Sequence, residues 1–147
     1  MGSLMFERFG EPLEVLRLTD GPLAEPGPGE VGVRLHLRPV NPSDLYQIRG
    51  RYGRLPSLPA VAGLEGLGTI VSLGHGVAGL ALGQRVVFRE VQGTWAEDIC
   101  VAATEVVPVP DGVADTAAAQ VMVNPLTAWA MFQEVAPPPG SWVVVTA

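Results

Sequence analysis

The fold is decided by the segment Val31-Gly32-Val33-Arg34-Leu35-His36-Leu37-Arg38. Its apolar residues alternate with glycine, arginine and histidine, which is the period-two pattern of a strand with one buried and one exposed face. His36 is therefore predicted to face outward beside two arginines. Similar short runs predict further strands over residues 13–18, 67–73, 85–88, 94–101 and 105–109. A series of short strands at this spacing predicts a mainly β domain, either a barrel or a sandwich.

Two segments that begin with Asn-Pro interrupt the strand pattern. Asn41-Pro42 and Asn124-Pro125 each combine a capping asparagine with a proline suited to the first helical position. We expect helices over about residues 42–48 and 125–135, with a shorter alanine-rich helical turn at 115–122. Three residues of the later helix are expected to lie in the core: Trp129, Met131 and Phe132.

Residues 141–147, Ser-Trp-Val-Val-Val-Thr-Ala, form a continuous apolar run. Such a run is typical of a strand buried on both faces in a parallel sheet. Alone, that strand would expose unpaired backbone N–H and C=O groups and would tend to pair with other chains. We therefore expect either a second domain of which only the start is present, or neighbouring strands supplied by another molecule, as in a homo-oligomer.

The composition favours a globular protein that binds a small molecule. The chain has 147 residues, of which 48% are hydrophobic and 16% charged. The net charge of −6, with nine arginines, no lysine and fifteen acids, disfavours nucleic acid or an anionic membrane as a partner. No apolar stretch is long enough to span a membrane, and no secretory signal is evident, which predicts a cytoplasmic protein.

The candidate metal ligands other than carboxylates are His36, His75 and Cys100, and none has a second ligand at zinc-type spacing. His75 lies between two glycines and is predicted to occupy a turn. Cys100 is expected to be a small hydrophobic residue in a strand. We therefore predict no zinc site. The sequence also contains no nucleophile elbow, and no glycine-rich phosphate loop follows residues 142–145.

Five ordered blocks remain to carry the chemistry. They are Asn-Pro-Ser-Asp at 41–44, Gly-Arg-Tyr-Gly-Arg-Leu-Pro at 50–56, Leu-Pro-Ala-Val-Ala-Gly-Leu-Glu-Gly at 58–66, Gly-Thr-Trp at 93–95 and Val-Asn-Pro-Leu-Thr-Ala at 123–128. Together with the stretch 68–87 they resemble the medium-chain dehydrogenase/reductase superfamily. The blocks are most similar to its zinc-free branch around the 2-enoyl thioester reductases, and the resemblance extends over about residues 10–147.

The resemblance implies an architecture and a place for the active site. Residues 1–114 would form a GroES-like β-barrel with short helices. Residues 115–147 would be the beginning, a helix plus the first strand, of an incomplete Rossmann domain, with the active site in the cleft between the two. Zinc-dependent relatives carry a cysteine at the position of Asn41 and a histidine at that of Leu64, so the resemblance also implies that zinc is absent.

The same resemblance assigns roles to individual residues. Tyr52 would be the catalytic proton donor, which suits a phenol with an ordinary pKa of about 10; the alternative is a loop aromatic that lines the cleft. Asn41, Asn124 and Thr127 would contact NADPH, with NAD not excluded, although Asn124 could equally be a helix cap.

Four further residues are candidates for binding substrate. Trp95 matches a motif of the thioester reductases. Around Tyr52, Arg49, Arg51 and Arg54 could receive the phosphates of coenzyme A or of a phosphopantetheine carrier, the alternative being a solvated charged loop. Two acids of the same blocks, Asp44 and Glu65, are interpreted as scaffold through capping and buried hydrogen bonding.

The function implied is NADPH-dependent reduction of the C=C bond of an α,β-unsaturated thioester. One alternative is a quinone or alcohol oxidoreductase of the same superfamily. Another, of a different class, is a non-enzymatic GroES-like binding or assembly module. The 147 residues alone are expected to be catalytically inactive.

Overall fold

A computed structural model describes residues 2–21 and 25–144 of the chain. Its strands are β1 (Gly2–Phe6), β2 (Arg17–Asp20), β3 (Glu30–Leu37), β4 (Ala60–Val61), β5 (Leu67–Leu73), β6 (Arg85–Phe88), β7 (Asp98–Ala102) and β8 (Val106–Pro108). Its helices are α1 (Pro12–Val15), α2 (Pro42–Ile48), α3 (Asp115–Ala118) and α4 (Asn124–Val135), with a 3₁₀ turn at Ala103–Glu105.

The strands of the described residues form two antiparallel sheets. Five strands pair in the order β7-β3-β5-β6-β8, and three pair in the order β2-β1-β4. A bridge between Ser3 and Ala96 connects β1 to the segment that leads into β7. The mainly β fold expected from the sequence is therefore confirmed.

Strand β3 organises the larger sheet because its two faces differ as the alternation predicts. Val31, Val33 and Leu35 are buried, whereas Arg34 and His36 are exposed. The buried side chains join one core with residues of four other strands and the loop after β6, namely Ile70, Val86, Phe88, Val91, Val101 and Val106. Burial of each such large side chain contributes about 1.5–3 kcal/mol to folding.

Two smaller cores attach the helices to the sheets. Ile48 of α2 packs with Phe6, Ala62 and Trp95, and so fixes α2 against the smaller sheet. The small residues Ala118 and Ala119 allow the α3 segment to approach Leu67 and Val87 of the larger sheet closely.

An arginine clamp also ties β6 to the start of α3. Arg85 pairs with the carboxylate of Asp115 and donates to the carbonyl oxygens of Val113 and Pro110. The clamp secures α3 at its N-terminal end.

Three predicted elements were wrong in type or extent. The strand expected at 13–18 is replaced by α1 and then β2, because Pro12 suits the first turn of a helix. The strand expected at 94–101 begins only at Asp98, after a turn in which Gly93 has a φ of 90°. The helix expected at 115–122 ends at Ala118.

The predicted burial of the α4 residues was also wrong. Trp129, Met131 and Phe132 are exposed, because an apolar helix face becomes core only where another layer packs on it. Residues 141–144 belong to no strand, and Trp142 is 97% exposed. The last three residues of the strand expected at 141–147 lie outside the described residues.

The predicted turn at His75 and the strand location of Cys100 are both confirmed. Burial raises the pKa of the Cys100 thiol, and the carboxylates of Glu30 and Asp98 raise it further. Across the described residues, no helix is both long and apolar enough to cross a bilayer.

Gly63 joins β4 to the loop before β5 at a point of close approach. Its φ is 97°, and its carbonyl oxygen accepts from the backbone N–H of Gly93 at 2.8 Å. A Cβ at this position would lie 2.7 Å from the backbone nitrogen of Trp95 and closer still to the indole ring. Glycine is therefore required here by conformation and by space.

We predict that Gly63→Ala lowers the free energy of unfolding by about 3 kcal/mol or more, because strain at positive φ adds to the clash with Trp95. Gly79→Ala is the matched control: its φ is 77°, but a Cβ there meets no atom within 4 Å. The control should cost about 1 kcal/mol. Urea denaturation measures both, and equal losses would contradict the predicted clash.

Candidate functional site

The N-terminus of α2 contains a buried carboxyl group that organises the start of the helix. Asn41 is the N-cap, as predicted, and its backbone N–H donates to Oδ2 of Asp44 at 2.7 Å. Asp44 is 1% exposed. Asn41 and Asp44 thus form a capping box, and the Asn41 side chain also reaches other parts of the chain.

Glu65, which lies between β4 and β5, forms the centre of the site. Its side chain is buried, with the residue only 1% exposed. Oε2 accepts from Nδ2 of Asn41 at 3.0 Å, and Oε1 accepts from the backbone N–H of Val123 at 2.9 Å. Asn124 in turn donates from Nδ2 to Oδ1 of Asn41 at 3.2 Å. We call these four groups the Glu65 cluster.

The Glu65 cluster changes the interpretation of two residues. Asn124 lies inside the first turn of α4, whose N-cap is Val123, so the capping role considered for Asn124 is wrong. Glu65 makes the buried hydrogen bonds expected of a scaffold residue. Its contact with Val123, 58 residues away, could not be deduced from the spacing of the motifs.

One exposed face of α4 carries two uncommitted polar groups. Asn124 and Thr127 are three residues apart and therefore adjacent on the helix. Within the described residues, neither Oδ1 of Asn124 nor the Thr127 hydroxyl has a hydrogen-bond partner. Both residues line a cavity of about 220 Å³ whose remaining walls are apolar: Ala128, Met131, Phe132, Val135, Pro137 and Val143.

Tyr52 lies in an exposed loop that follows α2. The side chain is 44% exposed, and its hydroxyl has no hydrogen-bond partner among residues 2–21 and 25–144. Hydrogen bonds to α2 hold this loop: for example, the Arg51 backbone N–H donates to the Tyr46 carbonyl at 2.8 Å, and Nε2 of Gln47 donates to the Arg54 carbonyl at 3.3 Å.

Gln47 is a positioning residue that the sequence analysis missed. It is buried although polar, and it lies three residues after Asp44 on the buried face of α2. This three-residue spacing was the sequence feature from which the burial of Gln47 could have been predicted. No hydrogen bond in the described part of the chain joins Tyr52 to the Glu65 cluster.

The three arginines around Tyr52 differ in their surroundings. Arg49 is paired with Glu11, with Nε at 2.9 and 3.1 Å from the two carboxylate oxygens. Arg54 and Glu90 are 3.9 Å apart and both largely exposed. Within the described residues, the Arg51 guanidinium has no partner. Arg51 is therefore the guanidinium most available to an anionic ligand.

Trp95 is mainly a packing residue. It is buried against Phe6 and Ile48, and its Nε1 donates to the Pro39 carbonyl at 3.2 Å. Trp95 also lines a cavity of about 410 Å³ with Arg38 and Val40.

Residues 2–21 and 25–144 contain no group of three or more His, Cys, Asp or Glu side chains that could hold a metal ion. Of the two positions that the resemblance compares with zinc ligands, Leu64 has no donor atom, and Asn41 has both polar side-chain atoms engaged in the Glu65 cluster.

Burial raises the pKa of Asp44, and the nearby Glu65 carboxylate raises it further, while the backbone N–H groups of Asn41 and Leu64 lower it. The folded protein therefore binds the Asp44 proton more tightly than the unfolded chain. The associated stability is fully present below the ordinary value of 3.8 and is lost as the pH rises through the folded pKa.

We predict that Asp44→Asn gains stability relative to the wild type as the pH rises from below 3.8 toward neutrality. Asparagine does not titrate, and its side-chain oxygen can still accept from the Asn41 N–H. Denaturant unfolding of both proteins across this range measures the difference. Parallel pH profiles would contradict the raised pKa.

Comparisons with known proteins identify relatives of two reductase types. Residues 27–111 match the alcohol dehydrogenase GroES-like domain family. The mitochondrial enoyl-[acyl-carrier-protein] reductase of Xenopus tropicalis is 38% identical over 133 residues, which cover 90% of this chain and 38% of that protein. This chain thus spans well under half the length of that relative.

Two solved structures share the fold. The Escherichia coli quinone oxidoreductase complexed with NADPH superposes with a TM-score of 0.82 at 26% identity, covering 92% of this chain and 41% of that one. The mitochondrial 2-enoyl thioester reductase Etr1p/Etr2p heterodimer of Candida tropicalis gives 0.81 at 27% identity, covering 90% and 43%. The chain belongs to the alcohol dehydrogenase GroES-like domain family of the medium-chain dehydrogenase/reductase superfamily.

Proposed function

We propose that this chain is the substrate-side portion of an NADPH-dependent, zinc-independent oxidoreductase that reduces the C=C bond of an α,β-unsaturated thioester. The observation that carries the proposal is the Glu65 cluster, which orients Asn124 beside Thr127 on an exposed helix face. The kinship with an enoyl-[acyl-carrier-protein] reductase supports the choice of substrate class.

The residues present fit a nicotinamide cofactor better than a metal. Asn124 and Thr127 offer uncommitted polar atoms in the lining of a mainly apolar cavity, which suits a flat ring that carries a carboxamide. NADPH, when bound, supplies the hydride. Asn41 contributes by orienting Asn124. Because its own polar atoms are hydrogen-bonded and Leu64 is apolar, these two positions offer no ligands for zinc.

Tyr52 is proposed as the proton donor for the substrate α-carbon. Its hydroxyl is exposed and uncommitted within the described residues, as a proton donor to a ligand requires. A phenol is protonated at neutral pH and can donate to carbon as negative charge develops on the substrate. The buried Gln47 holds the loop that carries it.

The proposal extends to domain organisation and location. We assign residues 1–114 to the substrate-side domain and 115–147 to the start of a dinucleotide-binding domain, with activity requiring more than the 147 residues. A cytoplasmic location stays a prediction, since the Xenopus relative is named as mitochondrial.

The second candidate function is quinone reduction, which the similarity to the E. coli quinone oxidoreductase favours. The two functions differ in their need for an acid, because the α-carbon of a thioester must be protonated on carbon whereas quinone oxygens exchange protons readily with water. Tyr52 therefore discriminates between them.

We predict that the complete protein encoded by the gene oxidises NADPH faster with crotonyl-CoA than with benzoquinone, and that Tyr52→Phe lowers kcat for crotonyl-CoA about 100-fold or more. The benzoquinone rate should hardly change. Steady-state absorbance of NADPH measures both rates.

Tyr46→Phe is the matched control, because the other tyrosine of the chain lies on α2 and is also half-exposed. It should retain the wild-type rate with crotonyl-CoA. A preference for benzoquinone that is unaffected by Tyr52→Phe would favour the quinone reductase, and a complete protein without nicotinamide binding would favour the non-enzymatic binding module.

We also predict that Arg51→Gln raises the KM for crotonyl-CoA about threefold to tenfold, the loss expected for one charge-assisted contact to a phosphate. Arg49→Gln should have a smaller effect because its guanidinium is already paired with Glu11. Crotonyl-pantetheine, which lacks the phosphates, should show no difference. An unchanged KM in the triple variant at positions 49, 51 and 54 would refute phosphate binding by this loop.

A further inference from the structure

We infer that Glu65 determines, through Asn41, which atom of the Asn124 carboxamide faces a bound ligand. The inference rests on the proposed function for the identity of that ligand. It assigns Glu65 as a positioning residue and Asn124 as a hydrogen-bond acceptor that selects a donor on the ligand.

The direction of the hydrogen bonds starts at Val123. A backbone N–H can only donate, so Oε1 of Glu65 must accept from it, at 2.9 Å. An ionised carboxylate has no proton to give, so Oε2 must also accept. The Asn41 carboxamide therefore has to turn its Nδ2 toward Glu65, as observed at 3.0 Å.

The orientation of Asn41 then fixes that of Asn124. With Nδ2 committed to Glu65, Asn41 presents Oδ1 to Asn124, which must donate from its own Nδ2, at 3.2 Å. Reversing either amide alone would bring two donors or two acceptors face to face. The remaining atom of Asn124, Oδ1, has no partner within the described residues and is left as an acceptor for a ligand.

An acceptor at this position matches one feature of the proposed cofactor. The nicotinamide carboxamide carries an N–H₂ group, which can donate to Oδ1 of Asn124. A ligand that offers only acceptors at the same point would be disfavoured. The charge on Glu65 thus acts through the amides of Asn41 and Asn124, so that the site prefers a ligand with a hydrogen-bond donor at this point.

Replacing Glu65 with glutamine should reverse the orientation of both side-chain amides, those of Asn41 and Asn124. The oxygen of the introduced side chain would accept from Val123, so its amide nitrogen would face Asn41 and require the Asn41 oxygen. Asn41 would then donate from Nδ2 to the Asn124 oxygen, and Asn124 would present Nδ2 to the ligand. Glu65→Gln is nearly isosteric, so it changes polarity with little change in shape.

The first test compares two cofactor probes in the complete protein by equilibrium binding: NADPH and reduced 3-acetylpyridine adenine dinucleotide phosphate, in which a methyl group replaces the amide N–H₂. The wild type should prefer NADPH, and Glu65→Gln should lower the ratio of the two affinities about threefold to tenfold, the value of one neutral hydrogen bond.

Asp44→Asn is the matched control for this test. It neutralises the other buried carboxyl group of the site, but its hydrogen-bond partners are the backbone N–H groups of Asn41 and Leu64 and neither side-chain amide, so the amide orientation is unchanged. Its affinity ratio should stay within about twofold of the wild type, below the effect of one hydrogen bond. A wild-type ratio in Glu65→Gln would overturn the inference.

A second test needs no ligand. Asn124→Asp puts a carboxylate against the Asn41 oxygen, so it should lower the unfolding midpoint of the wild type. In Glu65→Gln, Asn41 presents Nδ2, so the same substitution should lower the midpoint much less. We call this smaller loss the rescue. The rescue should vanish in Asn41→Ala, whereas relief of a direct repulsion between positions 65 and 124 would persist in that background.

The outcomes of the two tests separate the two proposals. If the wild type binds no nicotinamide dinucleotide but the rescue occurs, the proposed function is wrong, and the inferred orientation of the Asn41 and Asn124 amides is supported. If NADPH binds but neither the ratio nor the rescue responds to Glu65→Gln, the proposed function survives and the positioning role of Glu65 is wrong.

Discussion

The structure depends on the burial of one carboxylate, that of Glu65. A buried charge is tolerated only when its oxygens are hydrogen-bonded, and here the donors come from two distant segments, Asn41 and Val123. The main-chain carbonyl of the same residue accepts from the Thr94 hydroxyl at 2.8 Å. Glu65 therefore holds together the start of α2, the loop before β7 and the start of α4.

This arrangement places polar atoms in a region that is otherwise apolar. At the two positions that the resemblance compares with zinc ligands, this chain has Asn41, whose amide takes part in the hydrogen bonds of the Glu65 cluster, and Leu64. Hydrogen bonds fix the direction of each group, which a metal ion would otherwise do by coordination. The proposed chemistry thus relies on orientation and on a protonated phenol.

Much of the fold could be predicted because local patterns agree with tertiary packing. The alternation from Val31 to Leu37 predicted β3, and Asn41-Pro42 predicted the start of α2. The four-residue helix α1 was missed because one turn gives no periodic signal, and Pro12 was the cue.

Contacts between residues far apart in the sequence could not be predicted from the sequence pattern. The motifs identified Asn41, Glu65 and Asn124 separately, yet not that one hydrogen-bonded chain joins them across 83 residues. Burial on α4 was mispredicted for the same reason, since the composition of a helix face does not say whether another layer covers it.

The unequal exposure of the three tryptophans has a practical consequence for spectroscopy. Trp95 is buried, whereas Trp129, which lies on α4, is 61% and Trp142 97% exposed, so two of the three indoles contact water. Covering either exposed indole removes water from it and moves its emission to shorter wavelength, whereas Trp95 is already buried in the folded chain. The chain therefore carries its own optical probe of what packs against α4.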